Sequence, residues 1–394
     1  MLSWQPTTRQ IQPREGVEQL SSINRQRAWV EINLKALAHN VGQIKQILAP
    51  ATELMAVVKA DAYGHGAVTV AQTALNHGAS ALAIATLAEG IELRQAGIDA
   101  PILILGAINT AEEIEAVAAW QLEPTICNPQ QALIFAETLA RSQGNLAVHL
   151  KLDTGMSRLG TNWQSATEFV RLVQQLPYLS IASIYSHLAT ADELDPTVMK
   201  LQQQRFQEAI TQLELHHLTP PCLHLANSAA TLCDRSLHYD LVRVGLALYG
   251  LYPATHLQST VDLKPVLQLK AKITQVKQIT AGTGVSYGHH FVADKDLTIA
   301  VVGIGYADGV PRHLSNRLKA IVRGQLVRQI GTITMDQLML DISDLPNLQP
   351  GEIVTLIGKD GDFVISADDW ANTLDTISWE ILCGFKHRLP RVNI

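Results

Sequence analysis

Six polar side chains stand at or near the ends of short apolar runs, and their types suit attack on a carbonyl and retention of an anion. Lys59 closes the run 54–58 and is followed by Asp61, Tyr63, two glycines and His65. Lys151 ends 147–151, His187 ends 181–187, Asn227 and Ser228 follow 222–226, and Arg243 lies inside 241–244. Taken singly, each also reads as a solvated strand end. A lysine in an apolar mouth loses hydration as a cation, so its pKa falls and it becomes an amine nucleophile. That is the group a Schiff base with an aldehyde cofactor requires. The stretch "ANSAA" and the Gly245 of "RVGLALYG" add a hydroxyl, backbone N–H groups and a close backbone approach suited to a phosphate. A glycine needed only for a turn reads equally well at 245.

These residues converge only if the runs that carry them belong to one sheet. Runs at 54–59, 81–86, 102–105, 123–126, 147–151, 181–187, 222–226 and 241–244 alternate with helix-forming stretches such as 88–96 and 200–215. The alternation predicts an α/β fold, a (β/α)8 TIM barrel rather than an open sheet. In such a barrel the C-terminal strand ends meet at one opening, where the chemistry sits. Beyond residue 265 the texture changes to strands with turn residues every ten or so positions, and helical pattern nearly vanishes. A mostly β C-terminal domain follows. The expected division is a polar extension at 1–27, a barrel at 28–264 and the β-rich domain at 265–394. The early run 28–33 falls outside the count of eight and is a candidate to pair with the C-terminal domain.

Composition narrows the class. A chain of 394 residues, 47% hydrophobic and 17% charged, can bury a large interior and is long enough for two domains. A net charge of −6 offers no broad footprint for nucleic acid. No apolar stretch reaches the roughly 18 residues of a membrane span, and 1–27 lacks the apolar core of a secretory signal. Cys127, Cys222, Cys233 and Cys383 show no CxxC pairing and sit in apolar contexts, which predicts buried thiols in a reducing, cytoplasmic setting. No metal site is expected. His65 has no carboxylate or histidine at ligand spacing and reads as a turn residue; His216 and His217 read as exposed, and His289 and His290 as bystanders.

Eight motifs then occur in order: "AVVKADAYGHG", "HLKLDTGMSRLG", "SHLATADE", "HLANSAA", "LVRVGLALYG", "GVSYGHHF", "VGIGYADGVPR" and "GTITMDQLMLDI". Through them the chain resembles the bacterial alanine racemases, pyridoxal-phosphate enzymes of the barrel-plus-β-domain kind, over residues 28–391. The resemblance implies that Lys59 carries the cofactor and that Tyr63, Ser228, Gly245 and Leu246 hold its phosphate. Arg243 would face the pyridine nitrogen, with His187 bonded to it. Arg158 and the backbone N–H of Met335 would bind the substrate carboxylate. Lys151, often a carbamate in the family, would orient Arg158, and Asn227, Tyr306 and Asp336 would support the site. Tyr287 would be the second catalytic residue, delivered by the β domain of a partner subunit. A homodimer interconverting L-alanine and D-alanine for peptidoglycan synthesis is therefore expected. One departure stands out: "FKHRLPR" places His387 where many relatives have a tyrosine near the phosphate or entrance.

The implied roles are physically coherent. Inverting one Cα needs an acid and a base on opposite faces, because a single base tends to return the proton to the face it left. A phenol, with an ordinary pKa of about 10, needs neighbouring positive charge to act as a base near neutrality, and His187 and Arg243 could supply it. Arginine beside the ring nitrogen would keep that nitrogen unprotonated and the electron sink weak. A decarboxylase of the same architecture would place an acidic residue at the ring nitrogen and a cysteine in the β domain, unlike Arg243 and Tyr287. A non-catalytic pyridoxal-phosphate carrier would lack the second domain.

Overall fold

The computed structural model describes residues 27–142 and 145–394, and the expected N-terminal extension, Arg27 apart, lies outside the described residues. Arg27 donates to Asp308 at 2.6 and 2.7 Å and to the Gly303 carbonyl at 2.9 Å.

The barrel strands are β2 (Glu53–Val57), β3 (Ala81–Ile84), β4 (Ile102–Ala107), β5 (Glu123–Ile126), β6 (Leu146–Asp153), β8 (Leu179–Tyr185), β9 (Leu223–His224) and β10 (Leu241–Val244). They follow β1 (Ala28–Ile32), and the two-residue β7 (Thr161–Asn162) lies beside β6. All are parallel in the order β10-β2-β3-β4-β5-β6-β8-β9. The ring closes through two backbone bonds rather than a ladder, Asp240 N–H to Leu223 O at 3.1 Å and Arg243 N–H to Ala226 O at 3.0 Å. This is the eight-stranded barrel that the alternating runs predict. Local chemistry starts its helices: Thr86 and Thr110 cap Leu87–Gln95 and Ala111–Ala119 in reciprocal capping boxes with Glu89 and Glu113.

The barrel interior is divided. Met55, Val57, Ala81, Ala83, Leu103 and Leu241 pack into an apolar cluster on the β2, β3, β4 and β10 side. The other strands bury Thr125, His149, Lys151, Ser183, Tyr185 and His224, which join Arg243 of β10. Polar groups in such number inside a barrel must bond to one another, since each unsatisfied one would cost about 1–3 kcal/mol.

The second sheet runs β17-β16-β13-β14-β15-β12-β11-β1-β18. Its further strands are β11 (Leu267–Ile279), β12 (Leu297–Val302), β13 (Lys319–Val322), β14 (Gln325–Ile330), β15 (Leu338–Asp341), β16 (Ile353–Asp360), β17 (Phe363–Ile365) and β18 (Arg391–Asn393). The first described strand belongs to this sheet: β1 is antiparallel to β11, with Val30 opposite Leu269, and parallel to β18. The near absence of helix expected here is corrected by Ala367–Leu374, opened by a Ser366–Asp369 capping box, and Ser378–Cys383. The cysteine expectation is corrected too. All four are free, but only Cys127 is fully buried, while Cys233 and Cys383 are exposed. Among the described residues no helix is long and apolar enough to cross a membrane.

Candidate active site

Lys59 does not end its strand. β2 stops at Val57, and Lys59 opens a turn in which Ala60, Asp61, Ala62 and Tyr63 all have φ between 52° and 55°. Four consecutive non-glycine residues in the left-handed region cost roughly 1–2 kcal/mol each, so neighbours must hold them. Ala60 N–H donates to Glu89 Oε1 at 2.7 Å, tying the turn to the N-terminus of the helix Leu87–Gln95 that follows β3. Ala67 N–H donates to Asp61 Oδ1 at 2.8 Å. His65 stacks on Tyr249 at 4.5 Å and directs Nδ1–H to the Ala62 and Tyr63 carbonyls at 2.9 and 3.0 Å. Burial pushes this imidazole down to about 4, so it stays neutral. Gly64 then lies so close to the C-terminal helix that a Cβ would sit 2.5 Å from the Leu382 carbonyl oxygen.

The turn aims Lys59 and Tyr63 into a cavity of about 500 Å³ at the C-terminal ends of the barrel strands. Lys151, Arg158, His187, Asn227, Ser228, Arg243, Gly245 and Leu246 line the same space. Arg243 donates to Ser186 O at 2.7 Å, to Leu225 O at 3.1 Å and to His187 Nδ1 at 3.3 Å. Ser228 Oγ accepts the N–H groups of Gly245 at 3.0 Å and Ala247 at 3.4 Å, so its own proton is free to be donated into the cavity. Asn227 caps the helix Ser228–Cys233 by accepting from Ala230 N–H at 3.0 Å. At Gly245 a Cβ would lie 2.7 Å from Tyr63 Oη; only glycine lets that phenol approach the backbone.

The electrostatics are one-sided. Four cationic side chains, Lys59, Lys151, Arg158 and Arg243, line the cavity with a single carboxylate, Asp192. Burial, then the charge of Arg158, holds the Lys59 ammonium below its ordinary range. Lys151 is pushed down to about 8, first by burial and then by Arg243. Burial and the surrounding cations hold His187 far down, leaving it neutral. Burial lowers Arg243 itself to about 10 and raises the Tyr63 phenol to about 12. Such a space is complementary to an anion and supplies an amine that is readily deprotonated.

Tyr287, Met335, Tyr306 and Asp336 lie elsewhere. None lines the cavity; Tyr287 is 72% exposed and Met335 53%. Their loops are tied together, with Tyr306 N–H on Thr334 O at 3.0 Å, Ala307 N–H on Met335 O at 3.0 Å and Thr332 Oγ1 on Tyr287 O at 2.7 Å. Asp336 pairs with Arg388 at 2.7 Å. His387 is exposed and also does not line the cavity.

Residues 32–253 match the family model for the alanine racemase N-terminal domain, and residues 266–393 the model for its C-terminal domain. The chain belongs to the alanine racemase family. It is 67% identical over 371 residues to the alanine racemase of Nostoc sp., covering 94% of this chain and 96% of that one. The Synechocystis sp. alanine racemase is 65% identical, covering 94% of this chain and all of its own. The crystal structure of alanine racemase from E. faecalis superposes with a TM-score of 0.89 at 35% identity, covering 93% of this chain and 98% of that one. The Bacillus anthracis alanine racemase with bound L-Ala-P gives 0.88 at 36%, covering 93% and 95%. Isomerases of this family thus share the whole barrel-plus-β architecture seen here.

Several lining residues of this alanine racemase family member were not singled out in the sequence. Tyr185 lies under the cavity with Arg243 at 5.0 Å and Lys151 at 5.4 Å from its ring centroid. The period-two spacing of Ser183, Tyr185 and His187 contains that signal. Trp379 and Cys383 reach the cavity from the C-terminal helix Ser378–Cys383, and no local pattern announces it. Among the described residues no His, Cys, Asp and Glu cluster suited to a metal is present.

Proposed function

We propose that the cavity binds pyridoxal 5′-phosphate and that the protein interconverts L-alanine and D-alanine there, supplying D-alanine for peptidoglycan synthesis. Lys59 and Tyr287 of the partner subunit are the two proton-transferring groups. The observation that carries this reading is the convergence of four cationic side chains, one of them a lysine held below its ordinary pKa, on one cavity. The residues present fit the cofactor. The phosphate would lie against Ser228, Tyr63 and Leu246, where the bare backbone of Gly245 leaves room. Arg243 would meet the ring nitrogen, and the neutral His187 accepts from it.

When bound, the cofactor supplies an aldehyde for an amine and a conjugated ring that takes up the electron pair left on the substrate carbon. The chain's own residues do the rest. Lys59, disfavoured as an ammonium, serves one face of the substrate Cα, accepting a proton at Nζ when D-alanine reacts and delivering one to that face when D-alanine is formed. Tyr287 of the partner subunit serves the opposite face, so that removal and delivery occur on different sides. Arg158 and the Met335 N–H would hold the substrate carboxylate. Lys151, deprotonated readily, is able to take up carbon dioxide as a carbamate whose negative charge would steady Arg158. Asn227, Tyr306 and Asp336 support these groups. The exposure of Tyr287 and Met335 fits delivery across a homodimer interface, and the free thiols fit a reducing cytoplasm.

The purified protein should show a visible absorbance band that borohydride abolishes, leaving the cofactor covalently on Lys59. Tyr287→Phe should keep the band and lower alanine racemisation roughly 10²–10⁴-fold. A protein without cofactor, or a Tyr287→Phe variant with undiminished turnover, would overturn the reading.

A further inference from the structure

We propose that one directed hydrogen-bond chain through the barrel interior, Glu123–His149–Ser183–His224, positions Arg243, making these four residues positioning residues for a site at the far end of the barrel. The inference rests on the reading of Arg243 as the residue that meets the cofactor ring. Glu123 opens β5, at the N-terminal mouth of the barrel, and is partly exposed. His149 Nε2 lies 2.8 Å from Glu123 Oε2, and His149 Nδ1 lies 2.5 Å from Ser183 Oγ. Ser183 Oγ lies 2.7 Å from His224 Nε2, and His224 Nδ1 lies 2.8 Å from Arg243 Nη1. His149, Ser183, His224 and Arg243 are each no more than 5% exposed.

The two ends dictate the direction. Arginine has donors and no acceptor, so His224 must accept at Nδ1 and carry its proton on Nε2. That proton goes to Ser183 Oγ, whose own hydroxyl proton then has His149 Nδ1 as its acceptor. His149 is left with its proton on Nε2, aimed at a carboxylate that, ionised, only accepts. Reversing the Ser183–His224 link would set an N–H of His224 against an N–H of Arg243 at 2.8 Å, and reversing the His149–Ser183 link would turn a bare His149 Nε2 toward the Glu123 carboxylate at 2.8 Å. Tyr185 stacks on His224 with ring centroids 4.7 Å apart and planes 6° apart, which fixes the plane of the imidazole. Thr125 spends its one proton on the Ile104 carbonyl, so it is Tyr185 that donates to Thr125 at 2.7 Å.

Among its described hydrogen-bond partners Arg243 has two carbonyls and two imidazoles and no carboxylate. A carboxylate in contact would cancel the guanidinium charge where the cavity uses it. A chain of neutral dipoles ending on a distant Glu123 fixes the orientation of Arg243 and leaves its charge facing the cavity.

The test is made on the holoenzyme with ¹⁵N-labelled histidine. Long-range ¹H–¹⁵N spectra should show His149 and His224 both protonated on Nε2. Ser183→Ala, which removes one oxygen, should shift both rings and lower kcat roughly 10–100-fold, as loss of a partner behind a liganding histidine does, with KM for alanine and cofactor content unchanged. Ser183→Thr, which keeps the hydroxyl, should restore both. If Ser183→Ala does not fold, Glu123→Gln at the partly exposed end should change the His149 signals and lower kcat. A wild-type His224 protonated on Nδ1, or a folded Ser183→Ala with wild-type kcat, would overturn the proposal. A wild-type holoenzyme that does not turn over alanine would overturn the racemase reading instead, and the tautomers would still decide the chain.

Discussion

Lys151 and Arg243 both lie over the Tyr185 ring, and the crowding of two cations in a buried space falls on the group that can give up its proton. Its pKa lies at about 8 in the folded protein against 10.5 for a free side chain. Below pH 8 the ammonium is present in both folded and unfolded states, and the fold carries the full penalty of burying it. Between pH 8 and 10.5 the folded state has released the proton while the unfolded state keeps it. At this group the unfolded state then binds more protons, so the Lys151 contribution to stability rises with pH across that window and levels off above it, while the four thiols, raised from 9.0 by burial, oppose it above pH 9. Urea denaturation at a series of pH values, in buffer freed of bicarbonate, should show the rise between pH 8 and 9, before the thiols of the unfolded chain titrate, and Lys151→Met should flatten it. The flattening should be partial, because burial depresses Lys59 in the same direction. A rise of equal size in Lys151→Met would exclude Lys151 as its source.

At the scale of elements, the turn after β2 explains what was legible in "AVVKADAYGHG" and what was not. The apolar run and the glycines announce a strand and a turn, and the glycines at 64 and 66 do adopt positive φ, 81° and 97°. Nothing local announces that the four residues before them wind left-handed. Ala60, Asp61, Ala62 and Tyr63 have no intrinsic reason to do so, and the groups that hold them come from afar: Glu89 from the helix after β3 and Arg391, whose Nε donates to the Gly64 carbonyl at 3.1 Å, from β18. His149, Ser183 and His224 escaped notice for a related reason. Each is an ordinary half-buried strand residue until the barrel closes and brings them within bonding distance. The turn yields a prediction of unusual sign. Ala→Gly inside a right-handed helix destabilises by roughly 0.5–1 kcal/mol. At the exposed Ala60, with φ 54°, glycine removes the left-handed penalty instead, and Ala60→Gly should stabilise by about 1 kcal/mol. Thermal or chemical denaturation reads the sign directly, and a destabilised Ala60→Gly would mean that the turn is not left-handed in solution.

For the molecule as a whole, the eight-strand count and the change of texture near residue 265 were legible because helix and strand periods differ so plainly in sequence. The separation of the site into two halves was not legible from pattern and entered only through resemblance. Lys59, Arg158 and Arg243 line one cavity, while Tyr287 and Met335 stand exposed on loops of the other domain. If a second copy of the chain unites them, the two halves of every site come from different subunits, and complementation follows from symmetry. Lys59→Ala leaves a subunit with no amine but a sound Tyr287; Tyr287→Phe leaves one with a sound Lys59. Each homodimer should be inactive. In a mixed dimer one site receives both defects and the other receives neither. Random reassortment puts half the subunit pairs into mixed dimers, so the mixture should recover about a quarter of wild-type activity. The measurement is racemisation after the two variants are mixed, dissociated and allowed to reassociate. Activity that stays at the level of the separate variants would place Tyr287 and Lys59 in the same subunit's site, or outside one altogether.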